Sequence, residues 1–136
     1  MKKLLRCVAT TLIITLLLST VVFAYAENEI QPRYLHIKGL TAGVKINTIL
    51  GIATCESKII VLGTNTVKIV CKLQYYDGTT WKTLKEWSKT GTTSASITGS
   101  YAISSGYMYR TFATGYVYND QNVLIENATI ADTEYY

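Results

Sequence analysis

From Tyr34 onward, apolar and polar side chains alternate in short runs, and no stretch keeps the three-to-four-residue spacing of a helix. The runs are rich in β-branched and aromatic residues and are separated by Gly, Asn, Asp and Ser, which is the pattern of strands and turns. The clearest is Thr66 to Tyr76. Val67, Ile69, Cys71, Leu73 and Tyr75 fall on one side, and Lys68, Val70, Lys72, Gln74 and Tyr76 on the other. The first set is predicted to be core and the second mostly solvent-facing. Further strands are predicted over Tyr34 to Leu40, Val44 to Leu50, Gly51 to Lys58, Thr80 to Trp87, Ser94 to Ile103, Tyr107 to Tyr118 and Val123 to Ile130. Asp77-Gly78 supplies a turn, and Ser88 to Thr93 reads as a loop. Gly99 breaks its strand, Gly115 marks a bulge or a close backbone approach, and the tail from Ala131 has no clear assignment.

One irregularity is informative. Trp81, Leu84 and Trp87 recur every three residues, which a plain strand cannot place on one face. A bulge or an edge crossing is expected there. Seven to eight short strands with turns every 8 to 12 residues predict an all-β, immunoglobulin-like antiparallel β-sandwich. Tyr109, early in a long penultimate strand, is a candidate corner tyrosine that bonds backbone.

The N-terminus has a different pattern. Lys2, Lys3 and Arg6 precede an apolar run from Val8 to Phe23 that ends in Ala24-Tyr25-Ala26. Basic start, apolar middle and small-x-small end read as a signal peptide over 1–26, a short helix removed on export. The rival reading is a retained membrane anchor, but the apolar stretch from Leu12 to Phe23 is short for a span, so no stable anchor is expected after cleavage. Residues 27–33 form a polar lead-in, and 34–136 a single domain of ordinary size. The leader takes three of the thirteen basic residues and no acid, so a net charge of +4 falls to about +1. The remaining lysines are scattered rather than clustered, which argues against nucleic acid. The expected address is extracellular, loosely wall-associated at most.

The order of motifs resembles a family. Ala53-x-Cys55 is followed by Leu73-Gln74, Asp77-Gly78, Trp81, Trp87, Tyr101, Ser104-Ser105-Gly106, Tyr109-Arg110 and Gly115-Tyr116-Val117-Tyr118. This series is similar to an uncharacterised family of small secreted β-rich proteins of Gram-positive bacteria, a domain of unknown function. The resemblance covers roughly Tyr34 to Glu126. It implies a fold and an address, and no activity or functional residue.

The chemistry-bearing residues are few. His36 is the only histidine, and neither Cys-x-x-Cys nor His-x-x-x-His spacing occurs, so no metal or other cofactor is expected. There is no Gly-x-Ser-x-Gly elbow, and no spacing picks out a carboxylate pair, so no enzyme and no catalytic residue is expected. Cys55 and Cys71 remain after the leader is lost. In an oxidising compartment they are a candidate disulfide, closing a loop of about 15 residues and adding roughly 3 kcal/mol. The alternative is two buried thiols that pack as small hydrophobes. The aromatics carry the functional expectation. Ten tyrosines and both tryptophans lie beyond the leader, and such rings offer a flat apolar face with a hydrogen-bonding edge. Trp81, Trp87, Tyr75, Tyr76, Tyr116 and Tyr118 are the candidate ligand-binding residues for a protein or glycan partner. Against this stands the ordinary use of aromatic residues as strand formers and cross-strand pairs. A self-assembling protein pairing through edge strands is the second expectation. An exposed flat edge at Tyr34 to Leu40 or Val123 to Ile130 would favour it.

Overall fold

A computed structural model describes residues 34–136; the signal-peptide helix and the lead-in fall outside the described residues. The chain forms seven strands: β1 (Ile37–Asn47), β2 (Ile52–Val61), β3 (Thr66–Tyr76), β4 (Trp81–Thr92), β5 (Ser94–Ala102), β6 (Met108–Tyr118) and β7 (Leu124–Tyr135). They make two antiparallel sheets, one ordered β1-β2-β5 and the other β4-β3-β6-β7. The described residues contain no helix.

The alternation seen in the sequence is the cause of the layering. Successive side chains on a strand point to opposite faces, so one apolar set from each sheet turns inward. Ala53, Cys55, Ile59 and Val61 of β2 meet Val67, Ile69, Cys71 and Leu73 of β3, all buried. Ala113 and Val117 of β6 complete that layer. β3 has the bounds read from the sequence, and so does its inward face.

Three boundaries differ from expectation. The two strands predicted either side of Gly43 are one strand, β1, paired with β2 from Ile37 to Asn47 past a single irregularity at Ile37/Gly39. The loop expected over Ser88 to Thr93 is mostly strand, because β4 stays paired with β3 as far as Thr92. The unassigned tail belongs to β7, which pairs with β6 out to Tyr135. The tryptophan irregularity resolves as a bulge. Leu73 faces Lys85 and Gln74 faces Thr83, so Leu84 is the extra residue and β4 changes face there. Trp81 points out, while Leu84 and Trp87 pack against the core.

The two open sides of the sandwich are closed by different chemistry. On one side, β7 sends acidic side chains to the unpaired edge of β1. Glu126 accepts the N–H groups of Leu35 (2.9 Å), His36 (2.7 Å) and Ile37 (3.1 Å). Asp132 accepts from the Val44 N–H at 2.9 Å, and Glu134 from the Ile46 N–H at 3.1 Å. Buried Thr111 adds a hydroxyl bond to the Gly43 carbonyl at 3.0 Å. On the other side, Trp87 of β4 lies on Gly99 of β5. A Cβ at Gly99 would sit 2.4 Å from the indole, so only glycine admits the ring. Gly99 therefore continues its strand rather than breaking it, and Gly115 is a close approach, with Ile59 Cδ1 2.6 Å from where a Cβ would be.

The corner tyrosine is present. Tyr109 Oη donates to the Ser104 carbonyl at 2.6 Å and accepts from the Ser104 N–H at 3.2 Å. Burial raises the Tyr109 phenol above its ordinary pKa, which keeps its proton available for that bond.

Candidate functional site

The inward-facing half of each sheet is committed to the core, so a ligand surface has to come from outward positions or from the ends of the sandwich. Cross-strand register decides which outward side chains are neighbours. On the four-stranded sheet, Trp81 sits opposite Tyr76, Thr83 opposite Gln74, and Gln74 opposite Arg110. Phe112 follows Arg110 on the same face of β6.

These residues form one cluster. The Arg110 guanidinium carbon is 4.2 Å from the Trp81 ring centroid and 5.1 Å from that of Phe112. Tyr76 and Trp81 are tilted against each other with centroids 5.3 Å apart. Arg110 Nε donates to Gln74 Oε1 at 2.8 Å, and Gln74 Nε2 donates to Thr83 Oγ1 at 3.0 Å. The guanidinium thus lies over two rings and is oriented by a relay across three strands, an arrangement that suits its planar, delocalised charge. Partial burial lowers its pKa from the ordinary arginine value.

The six aromatic candidates separate into three groups. Trp81 and Tyr76 belong to this cluster. Tyr116 and Tyr118 share the outward face but lie at the far end, opposite Lys68 and Thr66. At about 3.4 Å per residue, Arg110 and Tyr116 are roughly 20 Å apart along β6. Tyr75 and Trp87 turn inward. Tyr75 meets Tyr107 edge to face at 5.5 Å and helps line a cavity of about 220 Å³ at one end of the sandwich, with Leu84, Ile103 and Tyr109. Arg110, Phe112 and Gln74 were not among the sequence candidates. Alternation along β6 places Arg110 and Phe112 on Tyr116's face, but only the pairing of β3 with both β4 and β6 brings Arg110 to Trp81.

Cys55 and Cys71 face each other from β2 and β3 and are both fully buried. They are free thiols in this structure. The Cys71 thiol beside it and then burial push the Cys55 thiol well above its ordinary range, so it stays protonated at neutral pH. The Ser57 hydroxyl is buried beside Cys71. Among the described residues, no three His, Cys, Asp or Glu side chains come together as metal ligands.

Comparison with protein families and with curated proteins finds no match for this chain.

Proposed function

We propose that the chain is an exported, non-enzymatic binding module of the immunoglobulin-like class, and that it meets a protein or glycan ligand on the outer face of its four-stranded sheet. The observation that carries this reading is the placement of Trp81, Tyr76, Arg110 and Phe112 together on a face that faces away from the core. Tryptophan, tyrosine and arginine are the residues most enriched where binding energy concentrates. The class assignment draws on two features. The strand order divides as 1-2-5 and 4-3-6-7, an immunoglobulin-like arrangement in which the fourth strand joins the third instead of the fifth. The Tyr109–Ser104 corner lies where such folds carry it. Export draws on the leader pattern alone, and the Gram-positive origin on the motif order.

A glycan array and a panel of immobilised extracellular proteins, probed with the domain and with Trp81→Ala, test the face. Binding that Trp81→Ala abolishes and Lys45→Gln, on the other sheet, leaves intact is the expected result. Folded protein that binds nothing, or binds equally well without Trp81, overturns the reading.

Self-assembly has one observation in its favour. β7 is a 12-residue edge strand with Leu124, Ile125 and Ile130 exposed, whereas the β1 edge is occupied by Glu126, Asp132 and Glu134. Size-exclusion chromatography over a range of concentrations decides it; a strict monomer excludes pairing through β7.

A further inference from the structure

We infer that Arg110 is an anion receptor and that the ligand of this face is an acidic polysaccharide, one whose carboxylates meet the Arg110 guanidinium. This inference rests on the proposed binding face and adds the ligand's chemistry.

Arg110 makes no ion pair among the described residues. Glu86, the acid on the outward face of β4, is taken by Lys72 at 3.3 Å. The carboxylates of β7 point the other way, through the sandwich to the β1 amides. Lys68, Lys72 and Arg110 against Glu86 therefore leave the face with an excess of positive charge. A held cation without a counter-ion is available to an anionic ligand.

The geometry indicates which anion. Arg110 uses Nε on Gln74, and its terminal nitrogens have no acceptor among the described residues. Two rings and the Gln74–Thr83 relay fix the plane of the fork. A planar, pre-oriented fork matches a carboxylate in bidentate fashion, and little side-chain freedom remains to be lost on binding.

The surface around it indicates the carrier. The backbone groups of β3 and β6 are paired on both sides within the sheet. A peptide that adds as a strand needs a free edge, which the middle of the sheet does not offer, and acidic motifs read by side chains are read by clusters of arginines, whereas this face has Arg110 alone. A polysaccharide is recognised by side chains instead. Hydroxyls from Thr83, Ser88, Thr114 and Tyr116 and the exposed Tyr76 ring supply hydrogen bonds and an apolar surface along the strands. Lys68, beside Tyr116, places a second cation roughly 20 Å from Arg110, within reach of a chain with repeating charges.

The test uses four polymers: polygalacturonate, dextran sulfate, neutral dextran and poly-L-glutamate, each measured by affinity electrophoresis and calorimetry at low and physiological salt. The expected result is salt-sensitive binding to polygalacturonate. Arg110→Gln should weaken it roughly tenfold to a hundredfold, the loss expected for charge-assisted hydrogen bonds. Arg110→Lys keeps the charge without the fork and should recover only part. Circular dichroism establishes that both variants are folded; if Arg110→Gln is not, Arg110→Lys and Lys68→Gln carry the test, each weakening binding. Poly-L-glutamate binding as tightly overturns the polysaccharide assignment, and dextran sulfate binding without polygalacturonate overturns the carboxylate. Binding to neutral dextran that is lost in Trp81→Ala but not in Arg110→Gln overturns this inference and leaves the binding face standing. No polymer bound, together with no Trp81-sensitive ligand in the wider panel, overturns both.

Discussion

Replacing Glu126 tests whether side-chain carboxylates hold the first strand in place. One carboxylate accepts three backbone N–H groups: Leu35 on one oxygen, and His36 and Ile37 on the other. The Leu35 bond is exposed and its N–H rehydrates freely if the acceptor is lost. The His36 and Ile37 bonds are partly buried at 2.7 and 3.1 Å. Hydrogen bonds to charged groups contribute about 1.5–3 kcal/mol each when fully sheltered. Discounting for partial exposure gives about 1 kcal/mol for each of the two inner bonds and little for the outer one. Glu126→Ala should therefore cost about 2 kcal/mol. Glu126→Gln keeps an oxygen but places an amide donor against other donors, and should cost about half as much. For a domain of this size, each kcal/mol moves Tm by about 4–8 °C. Thermal unfolding by circular dichroism should show a fall of about 8–16 °C for alanine. The ranking is a stricter check. Asp132 and Glu134 each hold a single N–H, so Asp132→Asn and Glu134→Gln should cost less than Glu126→Ala. Hydrogen exchange should accelerate at the His36 and Ile37 amides in Glu126→Gln, while Val44 and Ile46 stay protected. Unchanged Tm together with unchanged protection of the His36 amide would refute the argument.

Gly99→Ala should cost about 2 kcal/mol through overpacking, with a changed Trp87 fluorescence, because the added methyl lies 2.4 Å from the indole; a wild-type spectrum and Tm would mean the ring is not seated there. Asp77 is held below its ordinary value of 3.8 by the N–H groups of Thr80 and Thr79, with Lys82 adding to them. A lowered folded pKa contributes stability above the ordinary value that is lost as pH falls through the folded one. The advantage of wild type over Asp77→Asn in Tm should be full near neutrality and vanish in strong acid; a gap that persists at the lowest pH would contradict this. With Cys55 and Cys71 as free thiols, Tm should not respond to reductant, and both should label with a bulky alkylating reagent only after unfolding. A drop in Tm on reduction, reflecting up to about 3 kcal/mol, would show that the two are joined.

How far the sequence reaches depends on how burial is distributed. β3 is flanked on both sides and covered on one face, so Val67, Ile69, Cys71 and Leu73 alternate cleanly with polar residues and its ends were legible. β4 is an edge strand, covered on its inner face only where Trp87 and Gly91 meet β5. Lys89 lies opposite buried Ile69 yet remains exposed, so nothing selects an apolar residue there and the strand reads as a loop. The end of β7 hides for another reason. Beyond Ile130 its inward positions hold Asp132 and Glu134, whose partners are backbone amides rather than side chains. Hydropathy is silent about such contacts, and the tail from Ala131 carries no strand signal. The same strand carries the edge that the self-assembly reading needs, which is why that reading could be framed from the sequence but not weighed. The Arg110 cluster sits at the limit of what pattern can give. Alternation assigns Arg110 to the outward face of β6, and the three-residue spacing of Trp81, Leu84 and Trp87 signals the bulge that turns Trp81 outward. That the two meet depends on two registers, one set by the Asp77 turn beside Trp81 and one by the route of the chain between sheets. A cation without a counter-ion is a property of that meeting, and it exists only once both registers are known.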